Sequence, residues 1–454
     1  MEAVLSDVDQ PAGGYLGTPA AGRLTDNVNG DYPDAFFMQS PNEEGVGRTR
    51  ETQSVEVTLH HDFSERLRSR AVLAYTTTER DDQSIVGFLG EDERTLSRLQ
   101  VGNVSDSDAY QVYVDLAGEF TTGAVHHEFS AGAEYFDSTF NNLQTRYNVS
   151  PIDLYDPVYN AVLLPENQTR NLSSELETET VGVFIQDKMT LAERFHLIAG
   201  TRYAEIESGN TGSKDSQSDW PTMFGVVWDA SDSVSLFANR SESFVPRSGT
   251  TANMRAFPPE SSVQYEAGAK FGLLQTYLTG TVSLFRVEKP DVLTPDLDNP
   301  GFAVPLGEVM TEGLEVSVSG NLLPNWSVFA SYAYMTSDVE SNDPGLDGND
   351  LRYAPKNTVS LASGYQLSSG PLHGLVITGS IQYAGERFLD AANTLEAPSF
   401  TRVDVGLTYP VSEQIEVSLV GKNVTDAEIY SGYGANNVDI NPPATVMGGL
   451  RVSF

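Results

Sequence analysis

Histidines and clustered carboxylates are the side chains of this sequence that could hold a metal ion or move protons. Four of the histidines form two adjacent pairs, His60–His61 and His126–His127, each inside a run that alternates apolar and polar residues. Neighbouring residues of a β-strand point to opposite faces, so neither pair converges on one metal ion. The tetrapeptide that begins at His126 is HHEF, not the start of an HExxH zinc motif. These histidines therefore predict no metal site.

The acidic stretch DPGLDGND at 343–350 has spaced carboxylates that could bind Ca²⁺. It lacks the spacing and the distal glutamate of an EF-hand, so a solvated acidic loop is the favoured interpretation. Cysteine is absent, which excludes disulfides and thiolate metal sites. No grouping of serine, histidine and aspartate resembles a catalytic cluster. We therefore expect no catalytic residues, no cofactor and no enzymatic activity.

Composition narrows the class of protein further. The formal net charge is −36, and a chain with this acidic surplus is a poor partner for nucleic acid, whose phosphates need lysine and arginine. Hydrophobic residues make up 39% and aromatic residues 10% of the chain, which favours a folded protein. The sequence contains no run of 18 apolar residues, so no transmembrane helix is predicted.

Alternation with a period of two is the dominant pattern of the sequence. It is clear over 55–63, 112–120, 314–319 and 415–419, where one face of each predicted strand is apolar and the other polar. About 17 strands follow from this pattern. Many of them are long, and strands of about 10 tilted residues suit a bilayer crossing.

The connections between the predicted strands alternate between short and long. The long connections lie near 79–107, 139–176, 209–216, 246–260, 289–306, 340–352, 389–397 and 426–442. Short turns at one end and long loops at the other are typical of an outer-membrane barrel. The sequence thus predicts an all-β fold, a transmembrane antiparallel up-and-down β-barrel. A soluble β-sandwich, solenoid or propeller is the alternative.

Several ordered segments are similar to one family. The chain resembles the barrel of TonB-dependent siderophore receptors, the outer-membrane importers of ferric chelates. The segments that carry the resemblance are PIDLYDPVY (151–159), VGVFIQDKMTLAERFHLIAGTRY (181–203), SESFVPRSG (241–249) with FPPESSVQYEAGAKFGL (257–273), GEVMTEGLEVSVSGNLLPNWSVFASYAYMTSDV (307–339), AGERFLDAANTLEAPSFTRVDVGLTY (384–409) and GKNVTDAEIYSG (421–432).

The resemblance implies an architecture. The family barrel has 22 strands, of which about 17 are predicted here. Residues 1–51 are expected to be the remnant of an outer loop, and residues 52–454 the receptor barrel. No stretch resembles the plug domain or the TonB-binding segment of the family, so the chain is expected to be a fragment of such a receptor.

The resemblance also implies a function. We expect a receptor of the bacterial outer membrane that imports a ferric siderophore and lies in the lipid bilayer. Its expected partners are the TonB energy-coupling complex, reached through an N-terminal part, and the outer-membrane assembly machinery. The alternatives are a receptor for another nutrient, such as a cobalamin or an oligosaccharide, and a passive pore or structural barrel.

Four residues are the candidate ligand contacts that the resemblance suggests. Phe136 shares the inward register of Glu134 and should face the lumen near the outer end of its strand. Arg402 lies two residues before Asp404 and shares its inward register, also near the outer end. Tyr430 and Tyr433 lie in the last outer loop, where family members place an aromatic residue against the ligand.

The last residues, Leu450, Val452 and Phe454, alternate with Arg451 and Ser453. In the family the final strand ends on an aromatic residue and is recognised by the assembly machinery. The three apolar residues are therefore the predicted assembly signal, and they should face lipid.

Overall fold

A computed structural model describes residues 2–10, 18–33, 46–159, 162, 164, 172–210, 212–247, 251–252, 257–273, 277–295, 303–433 and 437–453. Within these residues, nineteen strands form one large sheet. They are β1 (Glu2–Gln10), β3 (Gly47–Ser64), β4 (Leu67–Leu89), β5 (Thr95–Thr122), β6 (Val125–Asp153), β7 (Leu172–Leu191), β8 (Phe195–Asn210), β9 (Ser213–Asp219), β10 (Thr222–Ser231), β11 (Val234–Val245), β12 (Glu260–Leu273), β13 (Leu278–Pro295), β14 (Ala303–Leu323), β15 (Trp326–Glu340), β16 (Asn357–Gln366), β17 (Val376–Ala384), β20 (Phe400–Pro410), β21 (Ile415–Lys422) and β24 (Thr445–Val452). Five short strands lie in loops: β2 (Thr18–Pro19), β18 (Arg387–Phe388), β19 (Glu396–Ala397), β22 (Tyr430–Tyr433) and β23 (Asn437–Ile440).

The large sheet is an antiparallel meander in chain order, as predicted for an up-and-down barrel. β1 pairs with β3, and each following wall strand pairs with its successor until β21 pairs with β24. β8 pairs with β10 along its first residues and with β9 along its last ones. β9 and β10 therefore occupy one strand position, interrupted at Trp220–Pro221.

One face of the sheet carries the exposed apolar side chains. A representative row across four neighbouring strands consists of Leu73, Val112, Tyr135 and Val181, all at least one-third exposed. An apolar outer face is what a wall in lipid requires, and the opposite, polar face then lines the lumen.

Aromatic residues border this apolar face at two levels. Trp228 stacks on Phe195 near the short turns, with ring centroids 6.0 Å apart. Trp220 contacts Tyr203, at 4.8 Å, near the long loops. The two tryptophans are eight residues apart in the sequence, which is about 26 Å along a strand. With a strand tilt of about 35–45°, this corresponds to roughly 20 Å across the membrane, close to the height of the apolar band between the aromatic girdles of a membrane barrel.

The strands β4 to β7 extend well past the outer girdle. β5 has 28 residues and β6 has 29, whereas a tilted crossing needs about 10. The prediction of loops at 79–107 and 139–176 is therefore wrong for most of the described residues in these ranges. Beyond the lipid both faces of a strand are solvated, so the apolar–polar alternation ends while the backbone ladder continues.

Part of the expected outer loop at 1–51 is also strand. β1 pairs with β3 from Glu2↔Glu56 to Gln10↔Arg48, and β3 begins at Gly47. The expectation of a loop is therefore wrong for 2–10 and 47–51. The sequence did not indicate β1, because Ala3, Val4 and Leu5 are consecutive and do not alternate.

The long loops pack on one another and form an outer cap. We define it as residues 18–33, 90–96, 152–159, 387–397, 428–433 and 437–440. One apolar cluster in the cap combines Ala20, Leu389, Leu395, Ala397, Tyr430 and Val438. A second combines Tyr32, Leu96, Ile152 and Leu154. Because residues 18–33 contribute to both clusters, this segment, the strap, joins the last loop to the loops of β4–β7.

A search of the described residues finds no helix with the length and hydropathy needed to cross a membrane.

Candidate ligand-binding lumen and outer cap

Ion pairs line the lumen face of β4 to β8. Arg70 Nε lies 3.3 Å from Asp115 Oδ1 on the next strand, and Lys188 Nζ lies 2.9 Å from Glu128 Oε1. Arg202 donates to Glu134 across two strands. These side chains are partly exposed, so water screens each pair. The lower lumen wall is therefore polar and internally neutralised.

An aromatic stack crosses this wall at Gly132. The rings of Tyr113 and Phe184 lie 6.0 Å apart and nearly parallel, and Arg70 lies over the Tyr113 ring at 5.1 Å. A Cβ on Gly132 would meet the Val114 carbonyl oxygen at 2.5 Å and the Phe184 ring at 2.7 Å. The missing side chain of Gly132 is what lets the two rings approach across β6.

Phe136 lies on the same face of β6, four residues beyond Gly132 towards the outer end of the strand. Its cross-strand neighbours are Gln111 and Thr180, so the ring stands among polar groups. Phe140 repeats this arrangement between Ser107 and Leu176 and is 41% exposed. Neither ring makes an aromatic contact within the described part of the chain. Phe136 thus has the predicted inward register, although β6 continues far beyond it to Asp153.

The guanidinium of Arg402 forms an ion pair with Asp404. Its Nε and Nη2 donate to the two carboxylate oxygens of Asp404, at 2.9 and 2.8 Å. Asp404 also accepts the backbone N–H of Asn423 at 2.7 Å, which ties β20 to the start of the last loop. Arg402 has the predicted inward register, but its guanidinium is engaged in this bidentate pair.

Tyr430 is buried inside the outer cap, with 4% of its surface exposed. Its hydroxyl donates to Glu428 Oε2 at 2.6 Å, and its carbonyl oxygen accepts from Arg387. Burial, together with this bond to the carboxylate, raises the pKa of Tyr430. The side chain therefore holds the cap together, and a ligand could reach it only by displacing cap residues.

The other predicted residues are placed only in part. The backbone of Tyr433 pairs with Asn437 in the β22–β23 hairpin, while its side chain lies outside the described residues. Leu450 and Val452 lie opposite Val417 and Ile415 on the apolar outer face of β24. Phe454 lies outside the described residues. The role of these three residues in assembly stays a prediction.

In the described part of the chain, no hydrogen bond, ion pair or ring contact joins any two of Phe136, Arg402 and Tyr430, which lie on β6, β20 and β22. Their role in binding a ligand stays a prediction.

The acidic loop at 343–350 uses its carboxylates to shape turns. Asp343 Oδ1 accepts the N–H of Gly345 at 2.9 Å, Asp347 accepts that of Ser341 at 3.1 Å, and Asp350 pairs with Lys356 at 2.9 Å. Within the described ranges, no group of three or more histidine, aspartate or glutamate side chains could hold a metal ion.

The turn between β4 and β5 is also held by a carboxylate. Asp92 accepts the backbone N–H and the hydroxyl of Thr95, at 2.9 and 2.7 Å, and the N–H of Arg94 at 3.1 Å. These donors lower the pKa of Asp92 to about 2. The strap docks on this turn, because Asn27 donates to the Glu93 carbonyl oxygen at 2.7 Å.

Comparison with protein families identifies the class. Residues 4–424 match the family model described as TonB dependent receptor-like, beta-barrel. The chain belongs to this family, whose members are outer-membrane transport receptors of Gram-negative bacteria and not enzymes.

Two curated relatives illustrate the similarity. The metal-pseudopaline receptor CntO of Pseudomonas aeruginosa is 29% identical over 437 residues, which cover 92% of this chain and 61% of that protein. The ferrioxamine B receptor of Salmonella typhimurium is 25% identical over 427 residues, covering 93% of this chain and 59% of the relative. The chain therefore spans about 60% of the length of these relatives.

Solved structures agree on the fold. The siderophore receptor PiuA of Acinetobacter baumannii superimposes with a TM-score of 0.84 at 18% identity, over 99% of this chain and 71% of that one. The ferric preacinetobactin receptor BauA of the same organism gives 0.81 at 22% identity, over 99% and 69%. At these identities the likeness establishes the barrel fold alone.

Sequence reasoning missed the Tyr113–Phe184 stack, Phe140 and the burial of Tyr430. Phe140 follows from the inward register of Phe136 when that register is continued along β6, and the stack follows when it is carried to the neighbouring strands β5 and β7. The burial of Tyr430 depends on contacts with the strap, some 400 residues earlier in the chain, and no local pattern encodes it.

Proposed function

We propose that the chain forms the barrel of an outer-membrane receptor that imports a ferric siderophore or a closely related metal chelate. The observation that carries the proposal is the pair Phe136 and Phe140, which project into the lumen above the aromatic stack and have no ring partner in the described residues. Unpartnered rings on a polar wall suit contact with the organic shell of a chelate. Several relatives are receptors for siderophores or metal chelates, which supports this class of cargo.

In this proposal, energy is supplied by the TonB complex acting through an N-terminal part of the receptor, and insertion depends on the assembly machinery. Both partners are inferred from the family. A receptor for a cobalamin or an oligosaccharide, or a passive pore, would use the same barrel without a requirement for a bound ferric ion.

The test is a titration of the receptor that contains residues 1–454 with a panel of ferric chelates and the corresponding iron-free chelators. Phe136→Ser should weaken the binding of the preferred ferric chelate roughly 10-fold, because a desolvated ring contact is lost. Phe224→Ser is the matched control, since Phe224 faces outward and is 55% exposed. Tight binding that Phe136→Ser leaves unchanged, or equal binding of iron-free chelators, would contradict the proposal.

A further inference from the structure

Charge is segregated by strand face in the part of the wall that rises above the outer girdle. This upper wall consists of residues 48–54 of β3, 76–84 of β4, 101–109 of β5, 138–146 of β6 and 172–178 of β7. Its registers are continuous from strand to strand, so each residue can be assigned to the lumen face or the opposite face. The lumen face is called the inner upper wall, and the opposite face is called the outer upper wall.

The outer upper wall is acidic. Its charged residues are Glu51, Glu79, Asp81, Asp106, Asp108, Glu175 and Glu177, with no lysine or arginine among the residues of these ranges on this face. The inner upper wall is basic. It carries Arg48, Arg50, Arg80 and Arg146 against the single carboxylate of Asp82, a formal charge of 4 − 1 = +3.

Two of the inner arginines lie directly opposite each other. Arg50 pairs in register with Arg80, and like charges in this position are destabilising. Asp82 is already shared, since it accepts from Arg80 and, at 3.0 Å, from Arg48. Arg50 is exposed and makes no ion pair in the described part of the chain. The chain thus places two like charges side by side, although its 63 acidic residues far outnumber its 27 basic ones.

Amide groups continue the donor surface on the neighbouring strands. Arg146 Nε donates to Gln144 Oε1 at 2.7 Å, and Gln144 Nε2 donates to Asn103 Oδ1 at 3.0 Å. The inner upper wall thus offers guanidinium and amide donors above the rings of Phe136 and Phe140.

We propose that the inner upper wall recognises an anionic metal chelate, and that Arg50 and Arg80 are the residues that select for its negative charge. This inference rests on the proposed function and specifies the class of cargo. The net charge of −36 would suggest the opposite preference, but most of the acidic residues of the upper wall face away from the lumen. An anion held between Arg50 and Arg80 would relieve their repulsion and gain charge-assisted hydrogen bonds.

The test compares two ferric complexes of opposite charge on the receptor that contains residues 1–454. Ferric tris(catecholate) is the anionic probe, and ferrioxamine B, with its free ammonium group, is the cationic probe. The double variant Arg50→Gln/Arg80→Gln should weaken binding of the anionic probe roughly 10-fold and flatten its dependence on NaCl concentration, with little effect on the cationic probe. Its thermal stability should equal or exceed that of the wild type, because a repulsion is removed.

Arg240→Gln/Arg286→Gln is the matched control, since it removes two positive charges from the outer face, beside Tyr265. It should change neither affinity more than about twofold. A wild-type receptor that prefers the cationic probe, or an inner double variant with unchanged affinity for the anionic probe, would overturn the inference and leave the proposed function standing. If ferric complexes of neither charge bind, both this inference and the proposed function would be overturned.

Discussion

Thr18 and Val438 are 420 positions apart in the chain and form a buried antiparallel pair in the outer cap. The Thr18 hydroxyl donates to the Val438 carbonyl oxygen at 3.0 Å, and both side chains are almost completely buried. Asn437, beside Val438, also donates to the Gly87 carbonyl oxygen at 3.3 Å. Through these bonds the strap fixes the last outer loop against the top of β4.

Thr18→Val should loosen the cap without changing its packing volume. The substitution leaves the Val438 carbonyl oxygen without its hydroxyl donor, at a cost of about 1–3 kcal/mol in the free energy of cap opening. Hydrogen exchange of the amides at 437–440 measures this opening. The control is Thr425→Val, which removes a similar bond to the Thr401 carbonyl oxygen at an exposed position. Equal effects of the two substitutions would show that the strap does not secure the last loop.

Gly132→Ala should destabilise the barrel wall. The new methyl group would meet the Val114 carbonyl oxygen and the Phe184 ring well inside contact distance, so the strand must shift or the stack with Tyr113 must break. We expect a loss of about 1–3 kcal/mol in the free energy of unfolding in detergent micelles. Gly379→Ala is the control, because its nearest neighbour would be 4.0 Å away. A Gly132 variant as stable as the Gly379 variant would contradict the role assigned to the close approach.

Tyr430→Phe separates a structural role of the last loop from a ligand-binding one. Loss of the hydrogen bond to Glu428 should lower stability by about 1 kcal/mol at neutral pH. Because the pKa of Tyr430 is raised above 10.0 in the folded state, the wild-type advantage should be fully present below this pH. It should shrink as the pH rises, since ionising the buried hydroxyl costs free energy in the folded state alone.

Thermal unfolding of both proteins from about pH 7 to about pH 11 measures this difference. Tyr277→Phe is the control, because Tyr277 is 66% exposed. A wild-type advantage that stays constant across the pH range would contradict the burial of the Tyr430 hydroxyl. Chelate affinity in folded Tyr430→Phe should equal that of the wild type.

The sequence predicted the barrel because lipid on one side and water on the other impose alternation. Runs such as Val112–Val114–Leu116 and Ile415–Val417–Leu419 record this constraint directly. The family resemblance then supplied the ordering of the segments. The inward register of Phe136 and Arg402 and the outward register of Leu450 followed from the same period of two.

The outer half could not be predicted in the same way. Above the lipid, Glu79 and Asp106 face water on one side while Arg80 and Ser105 face the lumen on the other, so hydropathy no longer distinguishes the faces. Most of the described residues in the predicted loops at 79–107 and 139–176 therefore proved to belong to extended ladders. The cap depends on pairings such as Thr18 with Val438, which only the folded chain reveals.

The central claim, that residues 1–454 form the barrel of a receptor for a metal chelate, is tested most directly by iron uptake. Cells lacking their own siderophore receptors would express the receptor that contains residues 1–454, with and without TonB, and receive radioactive iron as preformed chelates. The account predicts saturable, TonB-dependent accumulation of iron from at least one chelate, reduced by Phe136→Ser and unchanged by Phe224→Ser. Accumulation that neither saturates nor depends on TonB, or none from any chelate, would contradict it.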